Sequence, residues 1–250
     1  MKKLLLMAVA LSLLAVAGCQ CPWMNRESAD SIAAKMQKAV DVSGKQQNIS
    51  SAVVIYNSHL GKEKLSKVIL KLKEKGKIKL IIRRKNSIMM KAFDGKTGWM
   101  YTTGKGLRFL NSKELEDLKF SAIYLAPNIK FDKIFADVKL DGSEKAAGID
   151  CWKLICTPDA KFHSEPVVML VDKKTYLVVK TIEKVNMKKK DFTVDTYFGD
   201  YEELDGIMTP LMMVSQMGKK ILESKLISVQ WNAPIDDSEF TMPKILNNAK

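Results

Sequence analysis

Few side chains in this 250-residue sequence have the type and spacing to do chemistry. The four cysteines are Cys19, Cys21, Cys151 and Cys156. Cys151 and Cys156 share one strand-like run, Ile149 to Cys156. Separated by five residues, they point to opposite faces and stand about 16 Å apart at about 3.3 Å per residue. A disulfide spans at most about 7 Å between Cα atoms, so both read as packing or unpaired cysteines. His59 and His163 are the only histidines, and no spacing with the cysteines matches a compact metal-ligand pattern. Glu202, Glu203 and Asp205 gather carboxylates of the kind that perform acid–base work. At a hairpin turn they read as solvated, and Asp236 and Asp237 likewise fit a turn. No G-x-S-x-G, H-E-x-x-H or P-loop occurs. The sequence therefore predicts no enzyme, no metal and no cofactor.

Cys19 is different. Lys2 and Lys3 precede Leu4 to Ala17, a run that is apolar apart from Ser12. A bilayer-spanning helix needs about 20 residues, so this run suits a secretory h-region instead. Val16-Ala17-Gly18-Cys19 resembles the bacterial lipobox, in which the cysteine thiol is diacylated, with palmitate-like chains, before cleavage. The resemblance implies a lipoprotein signal peptide over 1–18, lipid attachment at Cys19 and a lipidated tether over 19–28. Two or three acyl chains anchor stably where one alone is marginal. The expected location is the cell envelope, facing the periplasm. Gln20, where an Asp is absent, resembles the outer-membrane-directed pattern. The formal net charge of +13 would suit nucleic acid, but an exported chain does not meet it. The lysines are also spread along strands and not gathered in one arm. They read as a solvated basic face, or as attraction to an anionic membrane surface screened over roughly 10 Å.

The elements that must position any site are mostly strands. Ser28 and Asp30 offer caps to a helix near 28–42, with Ile32, Ala33, Met36, Ala39 and Val40 at helical spacing. Val68, Leu70 and Leu72, then Ile78, Leu80 and Ile82, alternate with mostly cationic residues across Lys75-Gly76, which predicts a hairpin. Strands follow over Ser87 to Phe93, Trp99 to Tyr101 and Leu107 to Leu110. Asn111 to Glu114 resembles a capping box opening a second helix near 112–125, with Leu115 and Leu118 on its apolar stripe. Seven further strands are expected over Phe135–Leu140, Ile149–Cys156, Val167–Val171, Tyr176–Val185, Phe192–Tyr201, Ile207–Met217 and Ile221–Trp231. A sheet this long is expected to curl. The predicted fold is mainly β with two or three helices: a strongly curved antiparallel half-barrel enclosing the helices, as one domain over 29–250.

Four segments carry a family resemblance: Phe93-Asp94-Gly95-Lys96-Thr97-Gly98-Trp99, Asp141-Gly142 leading to Cys151-Trp152-Lys153-Leu154, Tyr201 to Pro210, and Trp231 to Pro243. In order and spacing, over about residues 29 to 243, they resemble the LolA/LolB-like outer-membrane lipoprotein-sorting proteins. The resemblance implies an apolar cavity for acyl chains and a role in lipoprotein sorting or lipid transport. The lipid anchor makes the chain closer to the receptor type than to the soluble carrier. The late strands are apolar on both alternate sets, and 14 methionines offer adaptable apolar contacts. With the resemblance, these observations place Trp99, Met169, Val178, Phe198, Met212 and Ile227 on the expected cavity. The expected partners are the membrane, through the N-terminal lipid, and the acyl chains of lipids or lipoproteins. The alternative is an envelope interaction lipoprotein that binds a protein partner and no lipid.

Overall fold

The computed structural model describes residues 27–61, 63–126, 128, 130–162, 165–187 and 190–244. Helix α1 runs over Ala29–Val40, and six strands follow: β1 Ser51–Leu60, β2 Glu63–Lys73, β3 Lys77–Arg84, β4 Ser87–Phe93, β5 Gly98–Thr102 and β6 Gly106–Phe109. Helix α2, Ser112–Tyr124, leads to seven more: β7 Phe135–Ala146, β8 Ile149–Pro158, β9 Val167–Asp172, β10 Val178–Met187, β11 Lys190–Leu204, β12 Ile207–Met217 and β13 Lys220–Trp231. All thirteen form one antiparallel sheet in the order β6-β5-β4-β3-β2-β1-β13-β12-β11-β10-β9-β8-β7. It is two meanders joined at the centre, where Ala52 pairs with Trp231. Helix α2 carries the chain from one edge to the other.

Local chemistry fixes both helices. The Ser28 hydroxyl accepts from the Ser31 N–H at 3.1 Å and caps α1. At α2 the capping box is complete: Asn111 Oδ1 accepts from Glu114 N at 2.9 Å, and Glu114 Oε2 accepts from Asn111 N at 3.1 Å. Arg108 adds a two-pronged grip on the same carboxylate. This grip, with the backbone bond, pulls the Glu114 carboxyl down to about 2. Both helices lie on the same face of the sheet, over separate core patches. Ile32 and Met36 of α1 pack with Leu154, Cys156, Val167, Met169 and Val171. Leu118 and Ala122 of α2 pack with Ala52, Leu72, Ile78 and Phe93, and Leu115 joins them. Gly98 lets α2 approach, since a Cβ there would meet Leu115 and Leu110 at 2.7 and 2.8 Å.

The strongly curved half-barrel enclosing its helices is corrected by this architecture. The sheet is open, with β6 and β7 as free edges. Closure would require these edges to pair. β6 has only four residues, and the ladder of β7 is broken by two register shifts and lined with exposed charges. Short, irregular and charged edges resist further pairing. The helices are not enclosed either: Ala34 and Lys38 of α1, and Lys113, Asp117 and Lys119 of α2, remain exposed. The content, mainly β with two α-helices, is as expected.

The opposite face has its own cover. After β13 the chain folds back over β1 to β5. Ala233, Ile235 and Phe240 pack against Val53. Trp99 and Phe240 are both fully buried, and the indole N–H of Trp99 donates to the Phe240 carbonyl at 2.7 Å. Lys73 and Lys77 meet the Asp237 carboxylate at 2.8 and 2.6 Å. Lys71 and Lys79 meet Glu239 at 3.0 and 2.8 Å. The cationic face of the β2–β3 hairpin is therefore partly neutralised by this C-terminal strap, four lysines sharing two carboxylates, where the sequence suggested a solvated surface.

Candidate functional site

The recess begins with how α1 is held. Its far end docks on the Asp205-Gly206 turn between β11 and β12. Ser43 N–H donates to the Gly206 carbonyl at 3.2 Å, and Asp41 bridges to Ile207. Gly206 has φ +87, and a Cβ there would collide with the Ser43 side chain, so glycine is required twice over. The other wall is aromatic. Tyr124 from the end of α2 meets Phe135 edge-on at 6.2 Å, and Phe131 packs on Phe135 at 4.8 Å.

Between these walls and the inner face of β9 to β12 lies a recess of about 320 Å³. Met36 and Val40 line it from α1, and Met169, Val178, Phe198 and Pro210 from the sheet. Its mouth includes Leu125, which is 44% exposed. The few polar residues are Gln37, Gln46, Tyr124, Thr181 and Tyr201. The Tyr201 hydroxyl is spent, donating to the Val178 carbonyl at 2.8 Å. Burial pushes the hydroxyls of Tyr124 and Tyr201 above their ordinary range. Beside Thr181, burial also raises the Glu183 carboxyl, and a hydrogen bond from Thr181 partly offsets the shift. A mostly apolar concavity with a few polar groups is the ordinary form of a small-molecule site.

Gln37 and Gln46 are shared with a wider, solvent-open groove of about 1030 Å³ along the outer side of α1. Lys35, Lys38, Asp41, Lys130 and Tyr176 line this groove. Lys35 is held by Glu27 and lies within 3.2 Å of the Tyr176 hydroxyl. Asp41 Oδ1 accepts from Gln46 N–H at 3.0 Å.

Of the residues placed on a cavity from sequence, Met169, Val178 and Phe198 meet in the recess. Trp99 lies on the opposite face, sealed under Phe240. Met212 pairs with Gly199 and Lys225. It is Met213 that shares a row with Phe198. Ile227 falls in the register shift between the pairs Ile55–Ser228 and Tyr56–Leu226 and is 53% exposed. Sequence reasoning missed the aromatic wall of Tyr124, Phe131 and Phe135, although their density after the second helix was a usable signal. Cys19, Cys21 and His163 lie outside the described residues. Cys151 and Cys156 are buried and free, each in a different core patch. Burial pushes the Cys156 thiol up to about 12, so it is inert as a nucleophile. Glu202, Glu203 and Asp205 are exposed. Among the described residues, no group of three or more His, Cys, Asp and Glu is placed to hold a metal. No described helix is long and apolar enough to cross a membrane.

No family model matches this chain, and no curated protein matches it. Solved structures do. A DUF1329 family protein from Desulfovibrio piger superposes with a TM-score of 0.57 at 16% identity, covering 86% of this chain and 98% of that one. An outer membrane lipoprotein-sorting protein domain from Vibrio parahaemolyticus gives 0.54 at 15% identity, covering 85% and 97%. A LolA superfamily protein from Nitrosomonas europaea gives 0.56 at 13% identity, covering 87% and 99%. At these identities the likeness is one of fold.

Proposed function

We propose that this chain binds acyl chains of lipids or lipoproteins in the recess beneath α1, and serves lipoprotein sorting or lipid transport in the cell envelope. One observation carries the reading: the inner face of β9 to β12 is left partly uncovered, with Val178 and Phe198 half-buried around an apolar space whose floor includes the buried Met169. The fold shared with a lipoprotein-sorting domain supports it. Burying eight methylenes there would supply roughly 6 kcal/mol at about 0.8 kcal/mol each, before the costs of association. The reading is of a binding protein and not a catalyst.

The test is saturable photo-crosslinking of a neutral, diazirine-bearing fatty alcohol to the full chain in isolated membranes. Phe198→Asp places an unpaired charge on the recess wall and should lower labelling at least about tenfold, equivalent to 1.4 kcal/mol. Unsaturable labelling, or labelling indifferent to Phe198→Asp, would move the function to a protein partner.

The domain, on this reading, follows a leader over 1–18 and a tether over 19–28 whose Cys19 carries the lipid. The motivating observation is the lipobox-like Val16-Ala17-Gly18-Cys19. Metabolic labelling with palmitate should be lost in Cys19→Ser; labelling that persists there would exclude Cys19 as the anchor.

A further inference from the structure

The apolar recess and the groove beside it differ in charge, and the difference orders a ligand. At the inner end, Glu183 stands beside Thr181, one of the recess residues. Burial disfavours charge at that carboxyl, and an anionic head group would lose its water there in the same way, so the space is left to hydrocarbon. At the outer end, past the shared Gln37 and Gln46, the groove presents Lys38 and Lys130. Lys35 is already paired with Glu27. The Asp41 carboxylate accepts the Gln46 N–H and keeps its negative charge, so Lys38 and Lys130 leave the groove with a cationic excess of one. Among the described residues, Lys38 and Lys130 have no carboxylate partner. Lys38 and Lys130 both line the groove that meets the recess at Gln37 and Gln46, so both cations are within the space open to a ligand that extends from the recess into the groove.

We propose that the recess takes an amphiphile with an anionic head group, tail inward, its head held between Lys38 and Lys130. This rests on the acyl-binding reading and adds to it a ligand class and an orientation. A lysine ammonium is a point charge that pairs with carboxylate or phosphate without demanding one geometry. Either head group therefore fits, provided that it is anionic and lies outside the apolar space. Such a pair near solvent is weakened by salt, whereas the tail contact is not.

The experiment compares two diazirine probes of the same chain length, a fatty acid and a fatty alcohol, crosslinked to the full chain in membranes at low and high salt. The fatty acid should label at least about threefold more efficiently at low salt, and the preference should shrink in high salt. In the double variant Lys38→Gln, Lys130→Gln, acid labelling should fall to the level of the alcohol. If both probes label saturably and equally in the wild type, or if the double variant keeps the preference, the head-group proposal fails while acyl binding stands. If neither probe labels saturably, the acyl-binding reading fails and takes this proposal with it. A phosphatidic acid probe that labels as the fatty acid does supports the shared anionic chemistry; one that labels like the alcohol restricts the head to a carboxylate and overturns the broader class.

Discussion

The two faces of the sheet are covered in opposite ways. On the outer face of the first meander, a short strap seals completely: Trp99 and Phe240 have no exposed surface, their polar atoms pair with each other, and four lysines meet two carboxylates. On the inner face, two whole helices cover less. They seal Ile32, Leu118 and Ala122 but leave Phe198, Val178 and Tyr201 half-buried around a recess. Cover is thus not proportional to the amount of secondary structure laid on a face. The strap follows the sheet surface closely, whereas a rigid helix touches it along one stripe and leaves a gap beside it. An interior packed to crystal-like density has no room for a ligand, so the gap is where a ligand belongs.

Truncation should separate the faces most sharply. Phe240→Ala removes a fully buried ring and should cost about 3–5 kcal/mol of unfolding free energy. Phe198→Ala, on a half-buried wall of the recess, should cost about 1 kcal/mol. Denaturant titration of both variants measures the difference, and equal losses would mean that the recess is as tightly built as the sealed face.

A smaller effect should appear in acid. Hydrogen bonds from Lys73 and Lys77 hold the Asp237 carboxyl down to about 2, below its ordinary 3.8. The folded chain therefore binds that proton less readily than the unfolded one. The strap's contribution is present above the ordinary value and is lost as pH falls through about 2. The pair is exposed, so the effect is modest and salt weakens it. Acid titration of stability at low salt should show a steeper loss for the wild type than for Asp237→Asn below pH 4. Parallel curves would mean that the ion pairs do not stabilise the strap.

How much could be read in advance varied with the kind of interaction. The capping box of α2 and the faces of Cys151 and Cys156 followed from local spacing, because they depend on neighbours in the chain. Strand β1 was passed over. Its inward positions include Ser58, which is buried and bonded to Ser224 at 2.9 Å, and that hydroxyl breaks the apolar alternation a strand should display. Ile227 was lost to a bulge that only cross-strand pairing reveals. Met212 was lost by one residue, which is enough to change face. Trp99 was assigned to the right sheet and the wrong side, since nothing near it in sequence announces that Phe240 will return to cover it. The half-barrel failed for the same reason: closure depends on whether two edges distant in sequence find each other.

The junction of the two meanders bears on the order of assembly. Each hairpin closes a short loop, but the central pair joins Ala52 to Trp231, and closure entropy grows with the length of chain enclosed. Topologies rich in such distant pairings fold slowly. The hypothesis is that both meanders form first and the centre zips last, with the strap docking only afterwards because it continues from β13. Trp99 would then stay wet until the final step. In a chain keeping Trp99 as its sole tryptophan, the blue shift of its emission should trail the gain of strand signal during refolding; a blue shift that leads it would reverse the order. A strap that docks last serves as a latch, fastening a half of the molecule that is already folded.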